Sequence, residues 1–196
     1  MYGCIYSIKV VIFRAYRMRI KLTPMAEEKR IFIYGYGNPG RQDDGLGKAL
    51  TDVAEAWVGE QQLQNVTVDV AYQLQVEDVL LMVDRDLVLL VDASMDEQIE
   101  DFSIDRITAD AGASFSAHSV APGFIVGLYE ALYGPAPPVY LVQIRGYEWE
   151  LEESVTPRAR ENMEKAWELL KKIILNPGML AKMQHSVTGD NNGSQA

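Results

Sequence analysis

Leu87–Val91 reads LVLLV, five consecutive apolar residues with no polar alternation. A strand with one face in water alternates polar and apolar side chains. An unbroken run marks a strand covered on both faces, as in a parallel sheet sandwiched between helices. The rest of the chain agrees. Ile31–Tyr36 is a second short apolar run that ends on glycines. Val66, Val68 and Val70 alternate through a strand over 66–71, Phe102–Ile107 is a weaker strand, and Val139–Ile144 is another. Between them lie segments of helical period. Leu46, Leu50, Val53, Ala54 and Trp57 fall on one helix face. Val76–Val83 is a short helix. Pro122–Tyr133 carries Phe124, Leu128 and Leu132 on one side and stops at Gly134. Thr156 and Pro157 are an N-cap and first-turn pair ahead of a stripe of Met163, Ala166, Trp167, Leu170 and Ile174, which ends at Asn176-Pro177-Gly178. Strands alternating with helices predict an α/β fold with a mainly parallel sheet of about five strands and helices on both faces.

A length of 196 residues with 48% hydrophobic content suits one such domain, expected over residues 25–176. Residues 1–24 read as an N-terminal extension. They hold five basic side chains and no acidic one, leaving 13 basic against 28 acidic side chains after them. The apolar run Ile5–Phe13 is interrupted by Lys9 and precedes its basic residues, the reverse of a secretory signal. The alternatives are a start at Met25 or Met18, or an interfacial anchor. Residues 177–196 are mostly small and polar and are expected to form a disordered tail. The formal net charge is −10, which argues against nucleic acid and against an anionic membrane as partners. One cysteine, Cys4, excludes an intrachain disulfide and favours a reducing, cytoplasmic setting. No apolar run reaches the roughly 18 residues that span a bilayer.

In an open α/β sheet, sites form outside the carboxyl ends of the strands. Three polar features fall there or at a helix start: Asp43-Asp44 after the first strand, Asp92 after LVLLV, and His118 before the helix at Pro122. The segment Gly35–Gly40 matches G-x-G-x-x-G after a strand, as in dinucleotide-binding proteins. Charge argues against that use. Asp43 and Asp44 stand where a pyrophosphate would bind, and Pro39 lacks a backbone donor. Asp43 is expected to cap the following helix, which leaves Asp44 for chemistry; both could equally be solvated helix-start residues. Asp92 is either bonded into its loop or part of a site, and Ser94 and Asp96 after it are loop residues on the plainest reading. His118 is a helix cap, a satisfied core residue or a site residue. Together Asp44, Asp92 and His118 offer two carboxylates and an imidazole. That set suits a borderline divalent cation with open positions, or metal-free acid–base work by paired carboxylates. No H-E-x-x-H or G-x-S-x-G is present.

The loop Gly37–Gly47, GNPGRQDDGLG, resembles the signature G-N-x-x-x-x-D-[DE]-G-x-G of the hydrogenase maturation proteases. Asp44 matches the family's metal-contacting carboxylate. Asp92 in LLVDAS matches the carboxylate that closes an apolar strand, and His118 in SAHSVAPGF matches the histidine that opens a helix. The resemblance runs from about Arg30 to Leu175. Gly40, where a larger apolar residue is common, and Tyr72-Gln73-Leu74-Gln75, in place of a Gly-Thr-rich stretch, depart from it. The resemblance implies a three-layer phosphorylase/hydrolase-like fold. It also implies an endopeptidase that removes the C-terminal extension of a nickel–iron hydrogenase large-subunit precursor after nickel insertion. Asp44, Asp92 and His118 would be the catalytic and metal-contacting residues. The nickel would belong to the precursor, with no permanently bound cofactor. A peptidase of the same fold acting on another precursor, and a non-catalytic precursor-binding module, are the alternatives.

Overall fold

The computed structural model describes residues 28–110, 120–152 and 154–188. Residues 1–24, His118 and residues 189–196 lie outside them, so the expected N-terminal extension and the histidine are not addressed by the fold. Five strands form one sheet: β1 (Ile31–Tyr36), β2 (Val66–Ala71), β3 (Leu87–Ser94), β4 (Phe102–Ile107) and β5 (Val139–Arg145), in the order β2-β1-β3-β5-β4. All neighbours run parallel except β4, which pairs antiparallel with β5 at the edge. This is the three-layer α/β/α architecture expected.

The continuous apolar runs have the predicted cause. Ile31 and Ile33 of β1 and Leu87, Leu89 and Val91 of β3 point to one face; Phe32, Tyr34 and Tyr36 and Val88 and Leu90 point to the other. Each side chain so buried contributes about 1.5–3 kcal/mol. The first face is covered by α1 (Leu46–Gln61) and α3 (Pro157–Leu175), whose Trp57 and Trp167 rings meet edge-on at 5.6 Å. The second is covered by α2 (Pro122–Tyr133) and a 3-10 helix at Val76–Met82. Thr156 caps α3 as expected, its hydroxyl accepting from Ala159 N at 3.3 Å.

Three readings change. Val53 is 40% exposed, because it lies at the margin of the α1 stripe and the core takes Leu46, Leu50 and Ala54. Leu132 is 59% exposed, since α2 faces the sheet through Ile125 and Val126. The tail expected from 177 is instead helical over α4 (Met179–Thr188), and Leu180 is buried in the same cluster as Leu170 and Ile174. Asn176-Pro177-Gly178 is thus a corner between two helices. Among the described residues no helix is long and apolar enough to cross a membrane.

The strand order fixes where a site can sit. From β1 the chain passes through α1 to β2 on one side. It then returns to β3 on the other side of β1, and the path from β3 leads away toward β5. Connections leaving in opposite directions open a crevice at the carboxyl ends of β1 and β3, the topological switch point. The loop after Tyr36 and the end of β3 at Asp92–Ser94 both lie at that edge.

Candidate active site

The loop after β1 needs its glycines. Gly37 has φ +135°, and a Cβ there would run into the backbone carbonyl of Asp44. Gly47 is needed differently: α1 starts so close to β1 that a Cβ would strike the carbonyl of Tyr36. Between them Asn38 closes a small turn by accepting from Gly40 N at 2.8 Å, and Gln42–Gly45 forms a 3-10 turn. Asn38 N donates to Asp44 Oδ2 at 3.1 Å, which fixes the Asp44 carboxylate against the loop that carries it.

The acidic pair divides its work, and Asp43 does not do what was expected. It caps no helix: Gly45 is the N-cap of α1 and makes no side-chain cap bond. Asp43 is fully buried and binds the segment that follows β5. Its Oδ2 accepts from Tyr147 N at 2.7 Å, Glu148 N at 3.1 Å and Thr156 Oγ1 at 2.9 Å, and its Oδ1 accepts from Thr156 N at 2.7 Å. The 3-10 turn explains the division. Neighbouring residues in it point about a third of a turn apart, so Asp43 faces inward and Asp44 faces the crevice.

Arg41 and Gln42 extend the seam. Arg41 donates to the Trp149 carbonyl through Nε at 3.3 Å and Nη2 at 3.1 Å. Gln42, held at φ +44°, donates from Nε2 to Glu148 Oε2 at 2.9 Å and accepts from Glu150 N at 2.9 Å. The two loops form one rigid rim.

Asp92 stands beside Tyr36 across the β1–β3 ladder, on the same sheet face. It is largely buried, and Ala93 N donates to its Oδ1 at 2.8 Å. Burial pushes its carboxyl up to about 7. The Ala93 N–H pulls back, the Asp44 charge adds to the rise, and the Tyr36 hydroxyl pulls back again. Burial, and then the Asp92 charge, hold the Tyr36 phenol well above its ordinary range, so it remains a neutral donor. Asp96 is a loop residue, as expected, but Ser94 is not: it is the last residue of β3, buried and paired with Arg145. Asp96 N donates to Ser94 Oγ, and Gln98 N to Asp96 Oδ1.

Asp44 and Asp92 meet in one cleft of about 260 Å³, lined also by Arg41, Ala93, Met95 and Trp149. A pair of carboxylates, one with its pKa near neutrality, can exchange a proton with water or with a leaving group at physiological pH. Among the described residues no three His, Cys, Asp or Glu side chains form a metal site. The two carboxylates would need a further ligand from elsewhere. Tyr36, Arg41 and Trp149 escape a reading of the sequence. The signal they carry is position alone: Tyr36 ends β1, Arg41 lies in the loop after it, and Trp149 follows β5, all at the carboxyl edge.

No family model and no curated protein matches the chain in sequence. Solved structures do. A [NiFe] hydrogenase maturation protease, HycI from Thermococcus kodakarensis, superposes with a TM-score of 0.60 at 22% identity, covering 77% of this chain and 96% of that one. The hydrogenase maturating endopeptidase HybD from Escherichia coli gives 0.56 at 21% identity, over 76% and 94%. A hydrogenase 2 maturation peptidase from a Thaumarchaeota archaeon gives 0.54 at 15%, over 74% and 98%. The chain has the fold of the hydrogenase maturation proteases. That shared fold spans nearly the whole of each of these proteins.

Proposed function

We propose that this protein is a hydrogenase maturation endopeptidase. It would remove the C-terminal extension of a nickel–iron hydrogenase large-subunit precursor after nickel insertion, in the cytoplasm. The observation that carries the reading is the meeting of Asp44 and Asp92 in one cleft at the switch point of this fold. The loop GNPGRQDDGLG supports it by placing the family's carboxylate at Asp44.

In this reading the nickel is part of the substrate and the protein carries no resident cofactor. Asp44, with Asp92 and His118, contacts the precursor's nickel and so holds the scissile peptide over the cleft. A carboxylate of the pair that is not engaged with the nickel, or a water that the nickel would polarise, takes part in the hydrolysis and passes a proton to the leaving amine. The Tyr36 hydroxyl and the Ala93 N–H keep the Asp92 carboxylate oriented.

The test is processing of a nickel-loaded precursor in vitro, with the nickel-free precursor as control. Asp44→Asn, Asp92→Asn and His118→Ala should each keep the far-UV circular dichroism spectrum and abolish cleavage. Normal processing by all three variants would sink the assignment. Stable binding of the precursor without cleavage by the unaltered protein would make the chain a binding module instead.

A further inference from the structure

The cleft is not acidic throughout. Ala93, Met95 and Trp149 line it together with Asp44 and Asp92. Met95 is 68% exposed although it directly follows the largely buried β3. An exposed methionine lining a cleft is an adaptable apolar contact for a side chain supplied by a partner. The Trp149 backbone is held in place. Arg41 donates to its carbonyl, Asp43 accepts from Glu148 N and Gln42 accepts from Glu150 N. Little backbone ordering is therefore left to do on binding. The volume, about 260 Å³, lies below the roughly 300–1,000 Å³ of pockets for drug-sized ligands. It suits one or two amino-acid side chains.

We propose that Met95 and Trp149 form a specificity subsite that takes an apolar side chain of the substrate polypeptide adjacent to the scissile bond. This rests on the endopeptidase reading above. Arg41 lines the same cleft, so a cationic side chain would meet a like charge there. The apolar lining selects by burial of apolar area rather than by attraction of a cation.

The subsite can be tested apart from catalysis. The probes are capped pentapeptides, acetyl-Ala-Ala-X-Ala-Ala-amide, with X as Leu, Asp or Lys. They are titrated to about 10 mM, since millimolar dissociation corresponds to only about 4 kcal/mol. Binding to the full chain is read from the Met95 methyl and Trp149 indole resonances. The Leu peptide should bind about tenfold or more tighter than the Asp or Lys peptide and should shift both resonances. Met95→Glu and Trp149→Ala should remove that preference. Absence of any shift with the Leu peptide, or equal or tighter binding of the Lys peptide, overturns the subsite. The precursor assay separates this result from the parent reading. Cleavage that needs Asp44 and Asp92 but ignores Met95→Glu leaves a protease without this subsite. Leu-selective binding with no cleavage of any nickel-loaded precursor leaves the subsite and removes the protease.

Discussion

Asp43→Ala should be among the most destabilising single substitutions in this protein, although Asp43 touches no reacting group. Its carboxylate is fully buried and accepts four hydrogen bonds, three from backbone N–H groups and one from Thr156 Oγ1. Each hydrogen bond to a charged group is worth about 1.5–3 kcal/mol, but the four share one carboxylate and do not add. Removing one partner from a buried charged network typically costs about 3–5 kcal/mol, and that is the expected loss. The three orphaned N–H groups would be left facing a cavity. In a domain of this size each kcal/mol moves Tm by about 2–4 °C, so Tm should fall on the order of 10 °C. Urea denaturation gives the free energy directly. Asp43→Asn should cost less, because it keeps one acceptor but turns an amide toward donors. Thr156→Ala, which removes one of the four bonds and the α3 cap, should cost about 1–2 kcal/mol. A loss below about 1 kcal/mol for Asp43→Ala would refute the argument, for it lies under the cost of even one unsatisfied buried donor.

Further predictions concern the site and the fold. Asp92 titrates near 7 when folded and near 3.8 when unfolded, so the folded state binds the extra proton between those values. Stability contributed by this group should therefore fall as pH rises from about 4 to 7. Asp92→Asn should flatten that slope and raise stability at neutral pH by about 2–4 kcal/mol, read from urea midpoints across the pH range; a slope unchanged by the substitution contradicts it. Gly37→Ala should cost at least about 1–3 kcal/mol through its positive φ and the clash with the Asp44 carbonyl, and should lower processing by moving Asp44; equilibrium unfolding and the precursor assay check both. Leu180→Ala should cost about 2–5 kcal/mol if α4 is docked as described; a loss near zero by the same unfolding measurement would return residues 177–188 to a tail.

What the sequence revealed depended on how local the cause was. LVLLV announced a strand buried on both faces because its neighbours demand it at every position. Asp44 and Asp92 could be placed at the carboxyl edge because Asp44 lies in the loop that follows β1 and Asp92 near the carboxyl end of β3. Asp43 was misread because its partners, Tyr147, Glu148 and Thr156, lie 104 to 113 positions away, and no local pattern distinguishes a helix cap from a long-range anchor. Tyr36 looked like one more apolar residue of β1; only the β1–β3 pairing sets its hydroxyl beside Asp92. Helix α4 escapes the sequence because it spans only ten residues after a Pro-Gly pair, too short to hold on propensity alone, and the docking of Leu180 supplies the rest.

The seam between the 41–43 loop and the segment 147–156 also bears on when the protein becomes competent during its synthesis. Asp44 leaves the ribosome early, but the partners that lock its loop are made more than a hundred residues later. Contacts so distant in sequence close late, since the entropy of the intervening loop must be overcome first. A nascent chain would thus carry Asp44 on an unlocked loop until Thr156 has been made and β5 has joined the sheet. Limited proteolysis of ribosome-bound chains halted before and after Thr156 should show the Gly37–Gly45 loop gaining protection only in the longer chains. The cleft would then take shape only as the domain is finished, so that under the proposed endopeptidase reading a half-made molecule could not turn on its neighbours.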